Sequence, residues 1–271
     1  MSFAVLQHPD KERDSVRFAL AGNPMVGWRG MIGAWLNTAA AAAGLLWGAL
    51  GRRPPSPAGE QAARLALMLA ALYLGGRTTV EGLAAPHGGG FLRSLLVLIA
   101  AMTVSKWLSL ALRLQRRVNA LGRFAAVQIA ERGAEDPPDF NAAFQAATIV
   151  FCLNPLAFAG PILEGLSGSL GVILIKAIMD GFAAASFTPA MRRGAAAALI
   201  PLAALLNAWG LLARALETRL EFYHAAGALQ AVCGCLTLLA GLTLLGERRI
   251  GMADYLPALI LAPIFARLAG G

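Results

Sequence analysis

The sequence predicts an all-α fold: a polytopic transmembrane helix bundle of seven crossing helices followed by a short, broken C-terminal hydrophobic segment. Three observations carry this. The chain of 271 residues is 58% hydrophobic and only 14% charged, where a soluble domain has about 25% charged residues. Apolar runs near the length of a bilayer crossing recur from Met31 almost to the C-terminus, as one multi-helix membrane domain requires. No stretch alternates apolar and polar residues over the repeat of a membrane barrel.

Residues 1–30 read differently from the rest. Asp10-Lys11-Glu12-Arg13-Asp14 is fully charged, and Phe18-Ala19-Leu20-Ala21-Gly22 is too short for the core of a signal peptide. This part is expected to be a poorly ordered extension, and Met31 stands as an alternative start; residues 31–271 form the transmembrane domain. The first span runs from Met31 to Leu50, with Asn37 inside it and Gly44 and Gly48 spaced for close helix approach. After the Arg52-Arg53-Pro54-Pro55 loop, a second span covers about Gln61 to Leu74 and continues to Arg77 and Glu81, whose spacing fits a solvated ion pair at a helix end. Phe91 to Leu112 is the third span, with Lys106 close enough to the interface for its stem to snorkel.

Near 113–132 the chain interleaves Arg113, Arg116, Arg117, Arg123 and Arg132 with Val118, Leu121, Phe124 and Ile129. That pattern predicts a basic amphipathic helix lying in the headgroup region. Asn141 to Phe158 is the fourth span, broken at Asn154-Pro155, with Glu164 in the short polar turn that follows. Proline removes a backbone donor and disfavours helix in the residue before it. The fifth span, Leu170 to Phe187, is the one around which the others are expected to pack. Lys176 and Asp180 stand four residues apart within it, on one face of a helix. Charges at that depth usually face a bundle interior and pair there. The sixth span runs from about Gly194 to Leu212 with Pro201 and Asn207 inside, and a charged amphipathic stretch, Arg214 to His224, follows it. Ala225 to Leu245 is the seventh. Tyr255 to Leu268, with Pro257 and Pro263, is short for a crossing and is expected to be broken or re-entrant.

The net charge of +8 would suggest nucleic acid on a soluble protein. Here most arginines lie in short loops beside apolar runs, so the charge reads as an orientation signal and as attraction to anionic lipid headgroups. With Met31 outside, the inner loops hold Arg52, Arg53, Arg64, Arg113, Arg116, Arg117, Arg123, Arg132, Arg192, Arg193, Arg248 and Arg249, and the outer loops hold Arg77, Arg93, Arg214 and Arg219. Cys152, Cys233 and Cys235 lie in apolar spans and read as small buried hydrophobes; Cys233-Gly234-Cys235 is not a CxxC pair, so no metal site is expected.

Several motifs resemble those of the YqgA/YdfK-like prokaryotic inner-membrane proteins, a domain-of-unknown-function family. They are Met31-Ile32-Gly33-Ala34-Trp35-Leu36-Asn37-Thr38 at the start, Lys176-Ala177-Ile178-Met179-Asp180-Gly181-Phe182 in the centre, and Asp254-Tyr255-Leu256-Pro257-Ala258 near the end. The resemblance covers roughly residues 31–268 and departs at Asn154-Pro155 and at Thr188-Pro189-Ala190-Met191. It implies a multi-pass protein of the bacterial inner membrane with no established biochemical activity.

Three classes of function fit the residues unequally. A transporter or channel for an ion or small solute draws on Lys176 and Asp180 in mid-span, on the broken fourth span, and on Asn37, Asn154, Glu164 and Asn207 as lining candidates. The alternative is a non-transporting membrane scaffold or regulatory protein, in which the charged pair only fixes helix packing. A membrane-embedded enzyme is disfavoured, because His8, His87 and His224 are scattered and no nucleophile stands with a base. No catalytic residue, cofactor, metal or nucleic-acid partner is expected. The expected partners are the anionic bilayer, an unidentified small ion or solute, and a second copy of the chain in a homo-oligomer.

Overall fold

The computed structural model describes residues 31–50, 57–85, 90–130, 139–187, 191–222, 225–244 and 251–270. The extension expected over residues 1–30 lies outside the described residues. The described elements are α1 (Ile32–Ala49), α2 (Pro57–Leu83), α3 (Phe91–Leu112), α4 (Leu114–Ala130), α5 (Phe140–Cys152), α6 (Leu156–Ser167), α7 (Gly171–Ala185), α8 (Arg192–Phe222), α9 (Ala226–Thr243), a short 3₁₀ turn (Met252–Tyr255) and α10 (Ala258–Gly270). Among the described residues there are helices and no strands.

Among these residues, four helices are long and apolar enough to cross a membrane: α3, α8 as far as Leu220, α9, and the C-terminal stretch Met252–Ala269. The bent pair α5–α6 makes up to five if it is one span, with an angle of 52° at its break. The sequence predicts seven crossing helices; α1, α2 and α7 are not among these. α7 has 15 residues, roughly 22 Å of helix against a hydrocarbon core of roughly 30 Å.

Two expectations need correction. The C-terminal segment is not too short, because the 3₁₀ turn at Met252 extends it to 18 residues. The polar turn expected at Glu164 is helical: α6 continues to Ser167 and ends at Gly168, whose φ of 70° needs no side chain there. The charged stretch after the sixth span continues it, since α8 runs unbroken from Arg192 to Phe222.

Glycine decides how the helices meet. Along α1, Gly33 lies against Ile173, Gly44 against the Gly181 carbonyl and Gly48 against the Ala185 carbonyl. Both chains ascend together, so α1 and α7 are parallel. Along α2, Ala71 meets Gly241, Gly75 meets Gly234, and Gly82 meets Gly227. One chain ascends while the other descends, so α2 and α9 are antiparallel, with their glycines seven residues apart. Small residues permit this approach where lipid supplies no hydrophobic drive between helices. The corner between α3 and α4 is made by Arg113, a non-glycine residue in the left-handed region at φ 54°; it ends the span and turns the basic helix away.

The buried apolar side chains form two clusters. One draws on α2, α3, α6, α9 and α10 with Ala213 of α8, and the other on α1, α5 and α8 with Ala125 of α4 and Ala157 of α6. α7 enters the first through Val172 and Ile175 and the second through Ala184. Lys176 and Asp180 therefore sit where α7 passes from one cluster to the other.

A methyl group added at Gly82 would stand 2.5 Å from the Ala231 nitrogen and 2.6 Å from the Gly227 carbonyl oxygen, whereas one at Gly76 would meet nothing within 4 Å. Gly82→Ala is predicted to destabilise the protein by about 1–3 kcal/mol through overpacking. Gly76→Ala is predicted to stabilise it by up to about 1 kcal/mol, by restricting the unfolded chain in a helix interior. Thermal unfolding of the two detergent-solubilised variants compares them directly.

Candidate functional site

Lys176 and Asp180 project from one face of α7, one turn apart, and pair with each other. Lys176 is 0% exposed and Asp180 3% exposed. The Lys176 ammonium also donates to the Phe151 carbonyl at 2.9 Å. Asn37, reaching in from α1 and 0% exposed, donates its amide to Asp180 Oδ2 at 2.8 Å. Three elements thus converge on one ion pair: α1, α7 and the end of α5.

The Phe151 carbonyl is available for a physical reason legible in the sequence. In an unbroken helix it would accept the amide four residues on. That residue is Pro155, which has no N–H. α5 ends at Cys152, and its last carbonyls carry partial negative charge. The lysine ammonium supplies the missing donor.

On the far side of the break, Asn154 serves the other half-helix. Its Oδ1 accepts from the Leu156 amide at 3.0 Å, which caps α6. It is therefore a capping residue at the break, outside the hydrogen bonds of the ion pair. Glu164 is buried in α6 at 2% exposure. Its Oε1 accepts from the Gly33 amide at 2.9 Å, one of the N-terminal donors of α1 that have no partner within their own helix. A carboxylate there also complements the positive end of the helix. Glu164 fixes the entry of α1 while Asn37, one turn further along, joins Asp180. Asn207 is not brought into the cluster's hydrogen bonds: its amide donates to Ala203 O of its own helix at 2.8 Å. Arg77 and Glu81 form the exposed pair the sequence predicts, at 2.6 Å.

A second buried acid lies outside the site residues that the sequence points to. Asp254, 3% exposed, pairs with Lys106 of α3. The Asp254 carbonyl accepts from Ser105 Oγ at 2.9 Å and Ser109 Oγ at 2.8 Å. Lys106 also lies 5.6 Å from the Tyr255 ring centre, and Gln115 of α4 accepts from the Ala253 amide at 3.2 Å. The lysine is thus held rather than merely snorkelling. The signal was present: a lone lysine in one apolar run and a lone aspartate opening another complement each other.

Among the described residues, no three His, Cys, Asp or Glu side chains gather where they could hold a metal ion. The apolar helices and the buried Lys176–Asp180 pair define a helical membrane protein with an ion pair inside its own bundle. The chain belongs to the family described as "Protein of unknown function (DUF554)", whose model matches residues 32–267. It is 24% identical to the "Uncharacterized membrane protein YdfK" of Bacillus subtilis (strain 168) over 170 residues, 62% of this chain and 69% of that one. It is 30% identical to the "Uncharacterized protein YqgA" of Escherichia coli (strain K12) over 121 residues, 44% of this chain and 50% of that one. No solved structure matches it.

Removing one member of a buried pair leaves an uncompensated charge, a loss of about 3–5 kcal/mol. Lys176→Met is predicted to destabilise the protein by that amount. Pro155→Ala returns an amide opposite the Phe151 carbonyl, so the two substitutions should be coupled. The double variant is predicted to be more stable than the sum of the singles by about 0.5–3 kcal/mol. A thermal or denaturant double-mutant cycle measures this, and strict additivity would contradict the proposed exchange of donors.

Proposed function

We propose that this protein is a multi-pass transporter or channel of the bacterial inner membrane, moving an ion or small solute. The observation that carries the reading is the position of Lys176 on the carbonyl set free at the break between α5 and α6. Discontinuous helices whose unwound carbonyls face a charge at mid-bundle are the usual construction of secondary transporter sites. Ionisable residues inside a membrane mark pathways more often than packing contacts. Asp180 and Lys176 act as the gate or coupling pair, Asn37 positions Asp180, and Glu164 holds α1 in register. In this reading the chain is not an enzyme and needs no cofactor.

The finer topology belongs to the same proposal. α1, α2 and α7 also cross, so that seven crossing helices precede the C-terminal segment. Support comes from direction: the first and fifth spans run parallel, and the second and seventh antiparallel, as strict alternation requires. The basic helix α4 then lies on the inner surface with Arg116, Arg117 and Arg123 exposed toward anionic headgroups. In this same reading the partners are the anionic bilayer, the ion or small solute that is moved, and a second copy of the chain in a homo-oligomer.

One observation favours a non-transporting scaffold instead: the Lys176–Asp180 pair is sealed from water, as a packing contact would be. Liposome flux separates the two. Reconstituted protein assayed against cations, anions and amino acids is expected to move at least one of them, and Asp180→Asn is expected to abolish that flux while folded protein is still recovered. Silence across the panel, with loss of folded protein in Asp180→Asn, would favour the scaffold.

A further inference from the structure

We propose, resting on the transport reading above, that the cluster at the α5–α6 break is a binding site for a small monovalent cation. Lys176 occupies it at rest, and the cation exchanges there for a proton carried by that lysine. The groups around the ammonium are those a hard cation selects. They are the Phe151 carbonyl and the Asp180 carboxylate; the Asn37 amide N–H donates to that carboxylate and holds it in place. Carbonyl and carboxylate oxygens suit alkali and alkaline-earth ions rather than softer metals.

An independent observation points to an absent ligand. Asn37 Oδ1 is buried and has no hydrogen-bond partner, on a residue that is 0% exposed. Buried polar atoms are nearly always satisfied, and a carbonyl-type oxygen beside a carboxylate is satisfied by a cation as well as by a donor. The C-terminal end of α5 adds its partial negative charge. The single carboxylate in direct contact with the ammonium matches one positive charge, which favours a monovalent over a divalent ion.

The exchange balances in charge. The cation enters and binds the Asp180 carboxylate and the Phe151 carbonyl. The hydrogen bonds from Lys176 Nζ to those oxygens break. An ammonium without its counter-ion is costly in hydrocarbon, so the displaced lysine gives one proton to water that enters with the cation when the otherwise sealed site opens, and remains as a neutral amine. One cation has entered and one proton has left, and reprotonation of the amine reverses both steps. The other ionisable groups around the pair do not take its place. α1 carries no charged side chain from Ile32 to Ala49. Cys152 follows Phe151 on α5, and Glu164 on α6 is bonded to the Gly33 amide. Arg77 and Glu81 on α2 bind each other at the surface, and Arg192 lies at the start of α8 near Gly48.

The test uses the full chain in liposomes of phosphatidylethanolamine and phosphatidylglycerol with a trapped pH-sensitive dye. Sodium, lithium, potassium or choline chloride is added outside, and a panel of labelled solutes is run in parallel. Proton movement is expected with at least one alkali cation and not with choline. Lys176→Gln should still bind that cation but no longer release protons, and Asp180→Asn should lose both. Should Asp180→Asn fail to fold, the wild-type protein in detergent decides. Its thermal midpoint should rise with the alkali cation over choline, and the apparent affinity should weaken by up to about tenfold for each unit fall in pH, as one-for-one competition with a proton requires. Flux of another solute with no alkali-specific proton movement or stabilisation would overturn this proposal and leave transport standing. Absence of any flux and of any alkali-specific stabilisation would overturn both.

Discussion

In the middle of this molecule an ammonium stands where a backbone amide is missing. Pro155 cannot donate to the Phe151 carbonyl, and Lys176 does so instead. That one substitution of donor links the bend of α5–α6 to the face of α7, and through Asp180 and Asn37 to α1. Backbone polar groups at membrane depth must be satisfied by protein or enclosed water. The bend can persist in a dry bundle because a side chain from the next helix completes it.

The same constraint explains the division of the bundle. α2 and α9 close on each other through glycines, and α1 and α7 do likewise. The α1–α7 contact carries the Asn37–Asp180 hydrogen bond in addition. The ion pair lies between the two apolar clusters, where α7 leaves one and enters the other. α6 and α8 also contribute to both clusters, so the charged joint is enclosed by continuous apolar packing, and a shift of α7 within it would pull Lys176 and Asp180 from their partners. The Lys106–Asp254 pair performs a lesser version of this task near the other end of the chain, tying α3 and α4 to the turn before α10.

Much of this was legible in the sequence. The helical class, the boundaries of α3 and α9, the break at Asn154-Pro155 and the Lys176–Asp180 pair all follow from spacing and from proline. So does the basic helix, which the structure places at Leu114–Ala130. What local sequence could not carry was partnership across the chain. Glu164 sits among Gly165, Ser167 and Gly168, a polar composition that reads as a turn, yet the N-terminus of α1 recruits it into a buried helix. Asn207 resembles Asn37 as a polar residue inside an apolar span, but it bonds back to its own helix. Nothing within a window of either asparagine distinguishes them; the difference is which helix each one faces. Lys106 was read from its distance to the interface alone, and Asp254 lies 148 residues away.

The central claim is a lysine ammonium paired with a carboxylate and shut off from water at the α5–α6 break. The lysines of the chain are Lys11, Lys106 and Lys176, so a solid-state NMR spectrum of the ¹⁵N-lysine, ¹³C-aspartate protein in bilayers is simple enough to decide it. The account predicts one ammonium signal that is lost in Lys176→Arg, shows a through-space contact to an aspartate carboxylate carbon, and, in choline buffer free of alkali cations, survives transfer into deuterated water. A Lys176 signal with no carboxylate contact, exchanging as freely as a surface lysine, would contradict it.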